Sequence, residues 1–281
     1  MPGAGRFFNF LVNSNLFIAA CAVLMARHTS LLLLHTEPSH YFLAFIFLAT
    51  ICSYSFHWYL SSEPAPPSPR MNWLQRNQNI YLILFIIGLA GSVFFFFDLL
   101  KYWPWLLLSA IITFLYSAPK IPNKYFRQLR KIALGKTIFL ALVWTHVTTV
   151  LPLIVSDQPW RIDFSLFALS RYFLIYAICI LFDYRDREDD KTKGIRSLIT
   201  YLSERGIRNL FAFSLLLFFI LTICLYFYHY SLITLLVLLA PGIITATLYN
   251  YARKNFSDIL YYFVLDGLMA LSALLALLTG T

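Results

Sequence analysis

Charge is scarce in this chain. Of its 281 residues only 12% are Asp, Glu, Lys or Arg, whereas 60% are hydrophobic, a balance that excludes an ordinary soluble domain and the secreted, fibrous and disordered classes. Cysteine is equally thin: Cys21, Cys52, Cys179 and Cys224 lie in or beside apolar runs, with no CxxC pair and no His at zinc spacing. That excludes a disulfide framework and a zinc site and leaves four small buried hydrophobes. There is no basic domain either. The 22 Lys and Arg behind the net charge of +9 are scattered among apolar spans, so nucleic acid is excluded as a partner and membrane topology accounts for them. A cleavable leader is not expected at the N-terminal run. Arg6 and the string Ile18-Ala19-Ala20-Cys21 look superficially like a secretion or lipoprotein signal, but the apolar run continues through Val23, Leu24 and Met25 and is long enough to span. No soluble repeat is visible, and the phenylalanine run at 94–97 reads as lipid-facing or packing surface.

What is present is a series of apolar runs near 7–26, 40–60, 79–98, 102–118, 132–153, 164–182, 208–228, 231–250 and 258–279. They predict an all-α membrane protein of about nine transmembrane helices, one polytopic domain over residues 1–281. The loop near 61–78, with prolines at 64, 66, 67 and 69, reads as an extended surface connection. Alternate loops differ in basic content. Those at 1–6, 61–78, 119–131, 183–208 and 251–257 hold 17 Lys and Arg, against four on the other side, Arg27, Lys101, Arg161 and Arg171, with Lys136 inside a span. The bias puts the N-terminus in the cytoplasm and the C-terminus outside.

Acidic residues concentrate in one place. Six of the 13 Asp and Glu fall between 183 and 204, five of them in the string Asp183-Tyr184-Arg185-Asp186-Arg187-Glu188-Asp189-Asp190. If the sixth helix continues into this string, Asp183, Asp186 and Asp190 share one face, and their carboxylates suit a Mg²⁺ ion that is also held by substrate phosphates. Taken alone, the string equally reads as a solvated helix end whose acids pair with Arg185, Arg187, Lys191 and Lys193. A second polar patch runs from Tyr116-Ser117-Ala118-Pro119-Lys120 through Lys124 and Arg127 to Lys131 on the same side. A basic, proline-broken loop beside a metal-binding acidic helix is suited to receive a diphosphate; positive-inside bias would also produce it. Within the spans, Asn13, Asn15, His146 and Asp266 are the other polar residues. Asp266 reads either as a group that shapes a site and binds an acceptor hydroxyl or as a protonated acid bonded to a neighbouring helix.

At these strings the chain resembles the UbiA-type intramembrane prenyltransferases. The family's second Asp-rich motif, an Asp-x-x-x-Asp core followed by a Gly-Ile-basic-hydroxyl tail, is similar to Asp186 and Asp190 followed by Gly194-Ile195-Arg196-Ser197. Its Tyr-Ser-x-Pro string with a downstream lysine is similar to Tyr116, Ser117, Pro119 and Lys124. The first family motif, Asn-x-x-x-Asp-x-x-x-Asp at the end of the second helix, is absent, and the same spacing falls on Ser53, His57 and Ser61.

The resemblance implies nine helices around a central lipid-accessible cavity, with Mg²⁺ and bases stabilising a departing diphosphate while an aromatic acceptor captures the allylic carbocation. On this reading Asp183, Asp186 and Asp190 hold the metal, and Lys120, Lys124, Arg127 and His57 bind diphosphate. Tyr116, Ser117 and Ser53 belong to the substrate pocket, and His57 stands in for one metal arm. Phe and Tyr side chains would line the cation's path, although most of the 18% aromatics must serve packing and lipid contact. The partners are then an isoprenyl diphosphate, a lipophilic acceptor and membrane lipids, with no obligate protein partner. The location is a multi-pass membrane, the cytoplasmic one for a prokaryotic source. Two other functions fit the same strings: a relative that binds a prenyl diphosphate or quinone without transferring it, and a transporter.

Overall fold

The computed structural model describes residues 2–60, 69–117, 136–192 and 197–280, the side chains of 2–6 excepted. Long runs of Leu, Ile, Phe and Ala in a bilayer must satisfy every backbone donor internally, which selects helix. Accordingly the described residues form helices: α1 (Pro2–Asn13), α2 (Leu16–Leu34), α3 (His40–Leu60), α4 (Pro69–Arg76), α5 (Gln78–Phe96), α6 (Trp103–Ser117), α7 (Lys136–Val155), α8 (Ile162–Thr192), α9 (Leu198–Tyr201), α10 (Glu204–Cys224), α11 (Leu232–Ala252) and α12 (Leu260–Thr279).

Among the described residues eight segments are long and apolar enough to cross a membrane. One of them, Gln78–Ser117, has 40 residues, about twice what a bilayer needs. It folds back on itself at the 3₁₀ segment Phe97–Tyr102. There Tyr102 Oη donates to Val155 O at 3.0 Å, whereas Tyr81 donates to Asn13 O at 2.6 Å and Ser117 meets His57 at the opposite end of the bundle. The sequence expectation of nine crossings counts these two arms, α5 and α6, separately.

Two expectations need correction. The first crossing is Leu16–Leu34 and not 7–26, because Asn15 takes a left-handed conformation (φ 64°) that ends α1, a conformation Asn tolerates. Asn15 is buried, with Arg70 donating to its Oδ1 at 3.0 Å. The proline-rich loop is also not extended throughout. Pro69 opens α4, where its missing N–H costs nothing, and α4 buries Arg70, Met71 and Leu74.

Helix α8 is the centre of the bundle. Its residues Leu174 to Leu181 are all buried, and it packs on α7, α10, α11 and α12. Helices α3 and α5 approach so closely at Gly88 that a Cβ there would lie 2.7 Å from Cys52 N and 2.8 Å from Leu48 O. The outward faces of α5 and α6 expose Ile83, Ile86, Phe94, Leu107 and Ile111, a surface suited to lipid. Two wide π turns interrupt the ladder, His146–Val150 in α7 and Leu260–Leu265 in α12, and both border the same cavity.

Candidate functional site

The cavity measures about 670 Å³, within the usual range for a small-molecule site. Most of its wall is apolar, from Ile18, Phe45, Ile46, Leu89, Leu106, Leu140, Val147, Ile178 and Met269. One end is polar, and it is the end reached by the acidic string.

Helix α8 runs unbroken through that string to Thr192, so the condition for a shared carboxylate face is met. Asp183 and Asp190 are 4% and 5% exposed, too buried to remain charged without a partner. The partner is Lys136, the first residue of α7, whose Nζ lies 3.4 Å from Asp183 Oδ1 and 3.4 Å from Asp190 Oδ2. Thr137, one residue on, donates to Asp183 Oδ2. Asp186 accepts from Arg185 Nε at 2.8 Å. Arg185 also donates to Tyr262 Oη at 2.8 Å and covers the Tyr261 and Tyr262 rings, 4.6 and 4.8 Å from their centroids. The other charges of the string face away. Arg187 reaches Glu204 at 2.5 Å, and Lys191 pairs with Glu188 at 2.7 Å. Two of the pairs expected of a solvated helix end therefore form, Arg185–Asp186 and Lys191–Glu188, but the two buried acids converge on Lys136.

Three other elements complete the polar end. From α3, Ser53 and His57 line the cavity, and His57 stacks on Tyr116 with ring centroids 4.9 Å apart. His57 Nδ1 and Ser117 Oγ share a hydrogen bond at 3.2 Å. From α4, Arg70 is clamped between Trp58 and Tyr262, 4.4 and 4.1 Å from the ring centroids, and donates to Val12 O at 3.1 Å. Its own backbone N–H donates to Asp258 at 2.7 Å, which fixes the start of α4. Arg70 is 4% exposed, and its Nε has no hydrogen-bond partner.

The sequence-predicted residues Ser53, His57, Tyr116, Ser117, Asp183 and Asp186 thus meet around one cavity end. Asp190 joins them through Lys136. Lys120, Lys124 and Arg127 lie outside the described residues. Sequence reasoning missed Lys136, Arg70 and Arg185 as site residues. Lys136 carried a usable signal, because a lone cation in an apolar run is a functional candidate by default and two buried acids require one. Arg70 carried none, since only the fold of α4 turns it inward.

The arrangement can hold an anionic head group among cations at one end and an apolar chain in the remainder. Among the described residues no three His, Cys, Asp or Glu side chains form a ready-made metal cage. The comparison with known families fits this shape. The model of the UbiA prenyltransferase family matches residues 75–265, and the chain belongs to that family of membrane prenyltransferases. The match contains Tyr116, Lys136 and the acidic string, and it begins beyond His57 and Arg70. Neither the curated proteins nor the solved structures include a match.

Proposed function

We propose that the protein transfers a polyprenyl group from an isoprenyl diphosphate to a lipophilic aromatic acceptor inside the membrane. The observation that carries this reading is the joining of one charged end, built from Lys136, Arg70, Arg185 and the acidic face of α8, to a long apolar cavity. The charged end suits the diphosphate and the apolar length suits the chain. The excess of Lys and Arg on this side supports a cytoplasmic charged end, where a water-soluble diphosphate head arrives. For a prokaryotic source the membrane is then the cytoplasmic one.

The fit of Mg²⁺ follows from charge and donor type. Arg70, Lys136 and Arg185 are matched by Asp183, Asp186 and Asp190, so the described cations leave no surplus for an incoming diphosphate. Mg²⁺ is held by one or two carboxylates together with phosphate oxygens and needs no complete protein cage. Asp186 and Asp190, one turn apart, are the proposed carboxylates, while Asp183, which borders the cavity beside Asp186, is tied to Lys136 and Thr137. When bound, the ion neutralises charge on the departing diphosphate. Lys120, Lys124 and Arg127 are proposed to add their charges from the loop.

The protein's own groups do the remainder. His57, held by Ser117 and stacked on Tyr116, stands where the family's first motif has a carboxylate and offers an imidazole N–H to phosphate. Lys136 and Arg185 keep the carboxylates oriented and face the cavity, ready to donate as negative charge develops on the leaving oxygen. Aromatic faces of Tyr54, Trp144 and Phe182 border the path of the allylic cation, and the largely apolar wall disfavours water there.

The test is titration of the detergent-purified protein with farnesyl and geranylgeranyl diphosphate, with and without Mg²⁺, against an Asp186→Ala, Asp190→Ala variant. Mg²⁺-dependent binding lost in the variant supports the reading; no binding to the wild type removes it. A second reading, binding without transfer, is favoured by one observation, Ser53 and His57 in place of the first motif's Asn and Asp. Protein-dependent release of diphosphate separates the two.

A further inference from the structure

A second set of charges converges away from the cavity, where α8 and α11 end and α10 begins. Glu204, the first residue of α10, accepts from Arg187 Nη1 of α8 at 2.5 Å, from Tyr184 Oη at 3.2 Å and from Arg253, which follows the last residue of α11. Arg253 also donates to Tyr184 Oη at 3.2 Å and lies over the Tyr184 and Tyr249 rings, 4.8 and 5.2 Å from their centroids. Tyr249 stacks on Phe211 of α10, and the charges of Arg253, Glu204 and Arg208 all act on its hydroxyl. None of these residues borders the cavity.

This corner is rich in donors and poor in acceptors. Arg187 Nε, Arg253 Nε and Tyr249 Oη are buried without a hydrogen-bond partner, three of the six such side-chain atoms among the described residues, and Tyr249 itself is 7% exposed. Its charge is unbalanced as well. Arg187 and Arg253 share Glu204, while Arg208, one turn along α10, forms no ion pair among the described residues, so three guanidiniums face a single carboxylate. Topology bias accounts for bases on this side of the membrane, but not for their convergence from three helices on one acid and a buried phenol. Glu204 is half exposed on a flexible side chain, so it can turn aside for a stronger acceptor.

We propose that this corner binds the phosphate of an anionic phospholipid in the adjoining leaflet. Guanidiniums recognise phosphate through parallel N–H donors, and three of them against one carboxylate leave two positive charges for the anion. The position selects a lipid over a free phosphate. Arg208 lies one turn into the crossing that begins at Glu204, and Arg253 directly follows the crossing Leu232–Ala252, the level at which bilayer phosphates sit. The outward faces of the same two helices expose Phe213, Leu216, Ile244 and Tyr251, so acyl chains run beside the helices that carry the bases. A phosphate held here braces Arg187, the residue after Asp186, and with it the end of α8 that carries the acidic string.

The experiment measures by native mass spectrometry how tightly the full-length, detergent-purified protein retains phosphatidylglycerol, with phosphatidylcholine, inorganic phosphate, and geranylgeranyl diphosphate plus Mg²⁺ as the other probes. Phosphatidylglycerol is expected to bind at least about fivefold more tightly than phosphatidylcholine, the contribution of one base at a membrane surface. Arg208→Gln should weaken it about fivefold and Arg208→Gln with Arg253→Gln about 25-fold, whereas Glu204→Gln should strengthen it about fivefold by removing the competing carboxylate. Arg76→Gln, at an exposed base of α4 on the same side, should change it less than about twofold. If the double variant fails to fold, Arg208→Gln and Glu204→Gln still move the affinity in opposite directions. Equal retention of the two lipids, no response to Arg208→Gln and Glu204→Gln, or an equal loss in Arg76→Gln overturns the inference. Displacement of the lipid by inorganic phosphate at equal concentration makes this a site for free phosphate, and displacement by geranylgeranyl diphosphate puts the lipid in the cavity; either result overturns the inference as well.

Discussion

Helix α8 carries the buried Arg171 and the half-buried Arg185, and their surroundings differ. Arg185 donates to the Asp186 carboxylate and to Tyr262 and borders the cavity. Arg171, fourteen residues and about 21 Å earlier on the same helix, is 3% exposed and meets only neutral groups. It donates to Ser272 Oγ at 2.5 Å, lies 3.2 Å from His28 Nδ1 and covers the Phe167 ring, while its Nη1 has no hydrogen-bond partner. Arg171 does not border the cavity. The difference teaches that buried charge alone does not mark a site in this bundle. What marks the charged end is convergence: opposite charges brought from α4, α7 and α8 to one open volume. At the level of Arg171 a single cation is solvated by dipoles inside packed helices.

Substitutions can break or sharpen this contrast. Lys136→Met should have the largest effect, because it strands Asp183 and Asp190 together. A loss of about 3–5 kcal/mol is expected for a buried pair deprived of one partner, read by unfolding in detergent, with partial recovery in Lys136→Arg. A loss below about 1 kcal/mol would mean that Lys136 does not hold the acids. Gly88→Ala comes next. Its methyl would press on the α3 backbone rather than on a flexible side chain, which should cost about 1–3 kcal/mol in the same measurement. His57→Ala should weaken geranylgeranyl diphosphate binding about tenfold, a loss of about 1.4 kcal/mol, without lowering stability comparably. Unchanged affinity would return His57 to a packing role beside Tyr116. Arg171→Met should have the smallest effect. Replacing a buried ion whose Nη1 lacks a hydrogen-bond partner by an apolar chain of similar volume is expected to be neutral or mildly stabilising, with donor affinity unaltered. If Arg171→Met abolished donor binding, the contrast between the two arginines would collapse.

The fold was largely legible because a bilayer imposes length and apolarity on every crossing, and the runs at 40–60 and 231–250 lie within about two residues of α3 and α11. Departures arose where a single residue overrode the pattern. Asn15 in its left-handed turn displaced the first crossing, and Pro69 started a helix inside a segment that looked extended. In the site, local spacing exposed the shared face of Asp183, Asp186 and Asp190, and family spacing singled out His57. The counter-ion of that face was hidden, since Lys136 is 47 and 54 residues away from the acids it joins and nothing local records the meeting. Asp266 was visible as an intramembrane carboxylate, but whether it was bonded to a helix or open to a cavity depended on tertiary structure.

The central claim is that this cavity performs transfer and does not merely hold a prenyl diphosphate. The most direct measurement incubates the purified protein, Mg²⁺ and radiolabelled geranylgeranyl diphosphate with a lipid extract of the source cells, following labelled lipid and free diphosphate together. The account predicts that a new prenylated lipid and diphosphate appear in equal amounts, and that both vanish in the Asp186→Ala, Asp190→Ala variant. Tight binding of the donor with neither product released would contradict it and leave the protein as a binding-only member of its family.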